Sequence, residues 1–340
     1  MNAIAWLDGS LILYWNALIL ALGLAAGLCL TLALYPRYNR HSAAVWVFFP
    51  FALVLGLLFS RLIYWYCQQE QFSSLWAAFT DWNRGSCALF GVIPGVVCAA
   101  LMAKRFGLVS HAGRLLDAAA PGLCLSFAFI RLSELWGNTC RSRIGVTARL
   151  FQRLPFALKT TDSAGTVTWP LAVFFLSFLA LLGISILLVF FYRGYRRFPT
   201  RDGSSVNGNV FRLFLLLWGV TEALVESLRY DSCFMHFTLL KQLNPYASFV
   251  SLGMIFAAVS ILAIQIRFTA VRVRGEGWSL SLILAWLLYL ASLLGAGYFG
   301  EYRVQRSANY ALCYPILTLS LLLMAGIVWW TYRGCLDREQ

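Results

Sequence analysis

Ionisable side chains are scarce in this chain of 340 residues: Asp, Glu, Lys and Arg together make up 12% of it, and only 14 are acidic. Histidine is scarcer still. The three present, His41, His111 and His236, are far apart in sequence, so a histidine-based metal site has almost nothing to draw on. The nine cysteines (Cys29, Cys67, Cys87, Cys98, Cys124, Cys140, Cys233, Cys313 and Cys335) show neither CxxC nor Cys/His ligand spacing. Most lie in apolar segments and read as small buried hydrophobes. There is no internal repeat and no low-complexity stretch. The N-terminus, MNAIAWLDGS, lacks a basic n-region and a small-residue cleavage pattern, so the first apolar segment is expected to be a retained span and not a signal peptide.

What the chain has in quantity is apolar surface. It is 60% hydrophobic and 16% aromatic, with a mean hydropathy of +0.72, which no ordinary soluble domain approaches. The composition predicts an integral membrane protein. A net charge of +13 in a soluble protein would suggest a nucleic-acid partner. Here most Arg residues sit in short segments between apolar runs, where they orient the chain, and nucleic acid is discarded on that ground.

Apolar windows of about 20 residues place spans near Leu11–Tyr35, Val45–Tyr66, Cys87–Ala103, Leu115–Trp136, Pro170–Tyr192, Val210–Arg229, Tyr246–Ile266, Ser279–Tyr298 and Ala311–Trp330. The expected fold is an all-α polytopic bundle of about nine transmembrane helices. Pro50, Pro94, Pro121 and Pro315 fall within spans and are expected to kink or unwind them. Arg37 and Arg40, Lys104, Arg105 and Arg114, Arg193 to Arg201, Arg267 to Arg274, and the tail with Arg333 and Arg338 all fall on one side. By the positive-inside rule that side is cytoplasmic, with the N-terminus external and the C-terminus cytoplasmic. One segment breaks the rule: Gly137–Thr168 is external yet carries Arg141, Arg143, Arg149, Arg153 and Lys159. It reads either as an indifferent patch in a longer loop or as a surface that attracts anionic headgroups.

The stretch Leu115–Arg143 stands out because an apolar span carries Arg131 and Glu134 near its far end. An Arg or Asp at the bilayer centre costs about 2.5–3.5 kcal/mol on insertion scales, so such charges usually face a protein interior or a watery cavity. At a rise of about 1.5 Å per residue, Arg61, Arg131 and Glu226 each lie about 24–26 Å above the cytoplasmic ends of their helices, and Glu222 about 20 Å. Asn16 lies about 9 Å below the external surface. Five polar side chains from four helices thus reach one layer, which predicts a lipid-accessible polar cavity in the external half of the bilayer. The plainer alternative is that Arg61 and Arg131 snorkel and that Glu226 pairs with Arg229 at i,i+3. Glu222, Glu226 and Arg229 share a helix face, and Arg131 is the cation expected opposite the two carboxylates.

These motifs resemble, in order and spacing, the bacterial prolipoprotein diacylglyceryl transferase family over roughly Leu13 to Leu262. Tyr14-Trp15-Asn16-Ala17 leads to Ala21-Leu22-Gly23 as the family's first span does. Its Ala-Arg-Leu-Tyr-Tyr stretch appears as Ser60-Arg61-Leu62-Ile63-Tyr64, and its His-Gly-Gly-Leu as Leu89-Phe90-Gly91-Val92, followed by Leu116-Asp117 and Ala120-Pro121. The signature Gly-Arg-Ile-Gly-Asn-Phe falls on Ile130 to Leu135, and the later Tyr-Gly…Glu…Arg-x-Asp pattern on Trp218-Gly219…Glu226…Arg229-Tyr230-Asp231. The family's Tyr is Asn16 here, its His is Leu89, its signature Asn is Glu134, and one of its Arg positions is Glu222. Glu134-Leu135-Trp136-Gly137 also aligns with a Glu-Leu-Trp-Gly that follows the signature in many members, with a deletion of about five residues, so the resemblance leaves two positions for Glu134.

The resemblance implies residues 1–268 as a transferase-like membrane domain of about seven spans, with residues 269–340 as an added C-terminal helix pair and cytoplasmic tail. It also implies a bacterial cytoplasmic membrane, no metal or organic cofactor, and transfer of a diacylglyceryl group from phosphatidylglycerol to the lipobox cysteine of a preprolipoprotein. That reaction needs a thiolate and preorganised positive charge for the departing phosphate. Arg131 is expected to meet the phosphate, with Glu222, Glu226 or Glu134 as the base in place of the family histidine. His236 is a weaker candidate for that base. Arg61, Asn16, Arg229, Asp231, Asn138, Arg141 and Arg143 are expected to bind substrate, the arginines by forked hydrogen bonds. Two other readings stand beside the transferase: a family member that kept the lipid site as an interaction or regulatory module, and a transporter. The transporter would need paired half-helices in two related repeats, which the sequence does not contain.

Overall fold

A computed structural model describes residues 4–8, 11–35, 43–67, 72–81, 89–137, 142, 144–161, 165–195, 208–229, 252–304 and 309–336. Two compact units share the chain: Met1–Phe214 with Leu228–Phe234, and Leu215–Ser227 with Met235–Gln340.

The first unit opens with a hairpin, β1 (Ile4–Asp8) antiparallel to β2 (Leu11–Tyr14), in which Leu7 faces Ile12. In the sequence Gly9-Ser10, residue types that favour turns, separate two β-favouring apolar runs, and Leu11–Tyr14 pairs as a strand and does not extend the first helix. The helices that follow are α1 (Trp15–Leu34), α2 (Ala43–Cys67), the short α3 (Leu75–Thr80), α4 (Val92–Arg105) and α5 (Ala112–Gly137). After them come α6 (Arg149–Arg153), the two-residue strands β3 (Thr160–Thr161) and β4 (Val167–Thr168), α7 (Val173–Tyr195) and α8 (Asn209–Leu228). Among the described residues the chain is therefore helical with two small hairpins.

α5 is the central helix of this unit, packed on α1 and on α7. Within its apolar window 72% of residues are buried, against 22% for α1 and 33% for α7. Small residues bring α1 and α5 together. A Cβ on Gly27 would sit 2.1 Å from Ser126 Oγ, and one on Gly122 would sit 2.3 Å from the Gly27 carbonyl. The Ser126 hydroxyl donates to Gly23 O across the crossing at 3.1 Å. In hydrocarbon there is no hydrophobic drive between helices, so such close backbone approach supplies the adhesion. α2 and α4 use the same device, with Gly95 seated on the Gly56 backbone and Gly91 on Ser60.

The N-terminus of α8 is tied to α5. Asp117 Oδ2 accepts from Gly208 N–H at 2.6 Å and its Oδ1 from Phe211 N–H at 2.9 Å. The carboxylate takes up the orphan donors of the first turn at the positive end of the helix dipole.

The second unit contains α9 (Leu252–Glu276), α10 (Leu280–Gly297), a π-helical turn Tyr298–Arg303 and α11 (Tyr310–Leu336), together with the later part of α8. Ala223, Ala257, Ile261, Tyr289, Leu317, Leu321 and Met324 form its buried core. Polar groups in it are bonded across helices: Gln265 Nε2 donates to Thr331 Oγ1, and Trp286 Nε1 to Thr269 Oγ1.

Of the nine expected spans, seven are helices long and apolar enough to cross a membrane: α1, α2, α5, α7, α9, α10 and α11. The other two differ for physical reasons. α4 has 14 residues, about 21 Å of rise against a hydrocarbon core of about 30 Å, and enters through a 3-10 turn at Leu89–Gly91. α8 is long enough, but every 18-residue window in it includes Arg212, Glu222 and Glu226. α2, α5 and α11 continue through Pro50, Pro121 and Pro315 without a break. Cys124 and Cys313 are buried as expected, whereas Cys29 is exposed on α1.

Candidate active site

Arg131 sits in the last two turns of α5 and is 2% exposed. Its Nη1 donates to Glu134 Oε1 at 2.9 Å, an i,i+3 ion pair whose acidic partner is 19% exposed. Among the described contacts, then, Arg131 finds a carboxylate on its own helix. Glu134 Oε2 is buried with no hydrogen-bond partner among the described residues. The pair thus presents a buried guanidinium beside one carboxylate oxygen that is open among the described residues.

At the same level Trp15 and Trp136 stack with ring centroids 6.2 Å apart, fastening the start of α1 to the end of α5. Tryptophans favour the membrane–water boundary, and Trp136 of this pair lies within one or two turns of Arg131 and Glu134 on α5. Asn16, next along α1, is exposed, and its Oδ1 accepts from the N–H of Ala17 at 2.8 Å.

Arg61 is 1% exposed, and two of its donors are turned to backbone. Nε donates to Ala78 O at 2.7 Å and Nη2 to Asp81 O at 2.8 Å. The guanidinium also lies over Phe72, 5.0 Å from the ring centroid, and over Tyr64 at 5.6 Å. A cation on the last carbonyls of α3 complements that helix end and fixes it on α2. Arg61 thus spends two of its donors on fold.

Arg229, just past α8, is buried, and its backbone pairs with Ser142 in an isolated antiparallel bridge. Glu222 and Glu226 are buried on α8 in the second unit. Glu226 packs on Gly253 in the first turn of α9, where a Cβ would meet Glu226 Cγ at 2.7 Å. Asn138, Arg141, Arg143, Asp231 and His236 lie outside the described residues. Among the described residues no three His, Cys, Asp or Glu side chains gather into a metal-ligand set.

Below the Arg131 pair, between α1, α2, α4 and α5, lies a cavity of about 260 Å³ whose walls include Leu20, Phe48, Leu53, Val96, Leu123 and Ile130. The hydroxyls of Thr31 and Ser126 also line it but donate to helix carbonyls at Gly27, and at Gly23 and Gly122. The expectation of a polar cavity meets a different arrangement in this unit: the cavity is apolar, and the charges near it are packed and paired. A charge removed from water is tolerable only when hydrogen-bonded or paired, which explains the separation. Along α5 the cavity wall runs from Ala119 to Ile130, about 16 Å of helix, and ends one residue before Arg131.

The sequence matches the family model for prolipoprotein diacylglyceryl transferase over residues 3–264. The chain belongs to the prolipoprotein diacylglyceryl transferase family. It is similar to the phosphatidylglycerol–prolipoprotein diacylglyceryl transferase of Oceanobacillus iheyensis, at 25% identity over 261 residues, covering 74% of this chain and 83% of the relative. The enzyme of the same name from Streptococcus pyogenes serotype M3 is 27% identical over 235 residues, 68% of this chain and 85% of its own. Membership of this transferase family and the seven apolar helices make the chain a multi-span membrane protein. The family match ends within α9, so α10 and α11 lie beyond it.

Sequence reasoning missed three contacts. The Arg131–Glu134 pair was signalled by the Arg-x-x-Glu spacing, and the Asp117 cap by a lone acid in an apolar helix. The Ser142–Arg229 bridge joins residues 87 positions apart and left no local signal.

Proposed function

We propose that this protein transfers a diacylglyceryl group from an anionic phospholipid, phosphatidylglycerol by resemblance, to a cysteine thiol of a prolipoprotein. The observation that carries the reading is the ion pair of buried Arg131 with half-buried Glu134 at the end of an apolar cavity. Acyl chains lie along the cavity, and the phosphate meets the guanidinium by charge-assisted hydrogen bonds. The thiol proton passes to Glu134 Oε2, and the thiolate attacks the glyceryl carbon that bears the phosphate. A C–S bond forms, the C–O bond breaks, and its electron pair leaves on the oxygen of glycerol 1-phosphate, stabilised by Arg131. Glu222 and Glu226 are the other acids to be tested as base. Arg61 and Arg229 act by position, and Asn16, Asn138, Arg141, Arg143 and Asp231 are assigned to substrate contact on the resemblance alone.

The basic helix ends at Lys104, Arg105 and Arg193 support a cytoplasmic placing of that face in a bacterial inner membrane, with the N-terminus external and the C-terminus cytoplasmic. The test is purified protein in detergent with phosphatidylglycerol and a lipobox peptide, read by mass spectrometry. A diacylglyceryl thioether and glycerol 1-phosphate that both disappear in Arg131→Ala are expected. No product from a preparation that binds the lipid would overturn the reading and favour a binding module.

A further inference from the structure

The segment that joins α5 to α7 holds cations and apolar side chains outward together. Arg149 and Arg153, one turn apart on α6, are exposed, and so is Lys159. Beside them Leu150 is 68% exposed, and Phe151 and Leu154 are exposed as well. These are not the side chains of a slack loop. Val146 N–H donates to Trp169 O, Leu171 N–H to Ile144 O, Leu158 N–H to Pro170 O and Ala172 N–H to Phe156 O. Gln152 Nε2 closes the inner side on Val146 O, and Phe156 packs on Phe175 of α7 at 5.5 Å. The backbone is thus fixed against the start of α7 while Leu150 and Leu154 stay exposed.

The height of the segment identifies its environment. It follows the end of α5, where Trp136 stacks on Trp15, a pair that marks the membrane–water boundary. It lies at the end of the first unit opposite to Lys104, Arg105 and Arg193, so orientation does not call for its cations. Leucines beside arginines at a bilayer surface are the composition of an in-plane anchor, with side chains in the acyl boundary and charges among headgroups.

We infer that Arg149, Leu150, Phe151, Arg153, Leu154 and Lys159 form a docking surface for the anionic headgroups of the adjacent leaflet. Each cation near a charged bilayer surface enriches contact by about fivefold, and three give on the order of 100-fold. The contact needs no chemistry from the Arg131 pair.

Hydrogen–deuterium exchange of the full chain in lipid nanodiscs tests it, comparing discs of phosphatidylcholine alone with discs of phosphatidylcholine and phosphatidylglycerol in equal parts. Peptides covering residues 148–159 should exchange about tenfold more slowly in the anionic discs, and the difference should fade in molar salt. The variant Arg149→Gln/Arg153→Gln/Lys159→Gln should lose the difference, whereas Arg149→Lys/Arg153→Lys should keep it, which separates charge from misfolding. Arg131→Ala should also keep it, so failure of the transferase reading leaves this result intact. Equal exchange in both discs would overturn the docking surface. So would slowing that survives the triple Gln variant, slowing that vanishes in Arg131→Ala, or slowing that appears only when a lipobox peptide is added.

Discussion

Arg131 and Glu134 close an ion pair of 2.9 Å within one turn of α5, so the cation proposed to meet the phosphate carries its own counter-ion. An isolated guanidinium at this depth would draw in water or a lipid phosphate continuously. With Glu134 beside it part of that charge is already offset, and a phosphate must compete with the carboxylate for the guanidinium. Arg131→Ala should lower transfer by about 10²–10³-fold and leave Glu134 uncompensated, with a lower melting temperature. The double variant Arg131→Gln/Glu134→Gln should regain the melting temperature without activity. Thermal unfolding and the mass-spectrometric assay read the two effects separately.

The open oxygen of Glu134 makes a sharper claim about the base. Glu134→Gln keeps the shape and removes the proton acceptor, so transfer should fall about 10²–10⁴-fold while phosphatidylglycerol binding holds or strengthens. Glu226→Gln, in a residue packed on Gly253, should reduce activity less. If the order is reversed, the proton goes to α8 and Glu134 serves only to hold Arg131.

How much of this was legible depended on the range of each contact. The long apolar helices and the buried Arg131 were visible because hydropathy and a lone charge are local signals. The sequence points from Arg131 to the two carboxylates of α8, and the structure adds a nearer partner, Glu134, at i,i+3. Arg61 was read as a headgroup ligand because α3, six residues long, has too little periodicity to announce itself as an acceptor. The β1–β2 hairpin was hidden for another reason: Leu11–Tyr14 is as apolar as the helix it precedes.

Arg61 should therefore behave as a structural cation. Arg61→Lys keeps charge but cannot reproduce Nε to Ala78 O and Nη2 to Asp81 O together. Each hydrogen bond to a charged group contributes about 1.5–3 kcal/mol, so the variant should loosen α3, seen as faster proteolysis or amide exchange over residues 75–81. A loss of phosphate affinity with α3 unchanged would return Arg61 to the substrate.

The α1–α5 crossing should tolerate no added side chain. A Cβ on Gly27 would lie 2.1 Å from Ser126 Oγ and 2.6 Å from the Gly122 carbonyl, and backbone cannot yield as a side-chain tip does. Gly27→Val should cost about 1–3 kcal/mol or more and part the helices that frame the apolar cavity. Melting temperature and phosphatidylglycerol binding should fall together.

Asp117 gives the last test, because its role is to cap the first turn of α8. Its two oxygens take up Gly208 and Phe211 N–H groups at the start of the helix that carries Glu222 and Glu226, so α8 is anchored by a residue of α5. Replacing a capping side chain by Ala costs about 0.5–2 kcal/mol, and burial of the orphaned donors raises that. Asp117→Ala should lower the melting temperature and speed amide exchange in the first turn of α8. Asp117→Asn, which keeps one acceptor oxygen, should fall between it and the native protein. Since Asp117 holds backbone and touches no reacting group, its loss should leave peptide and lipid affinity unchanged in the folded fraction. A binding defect at native stability would instead make Asp117 part of the site.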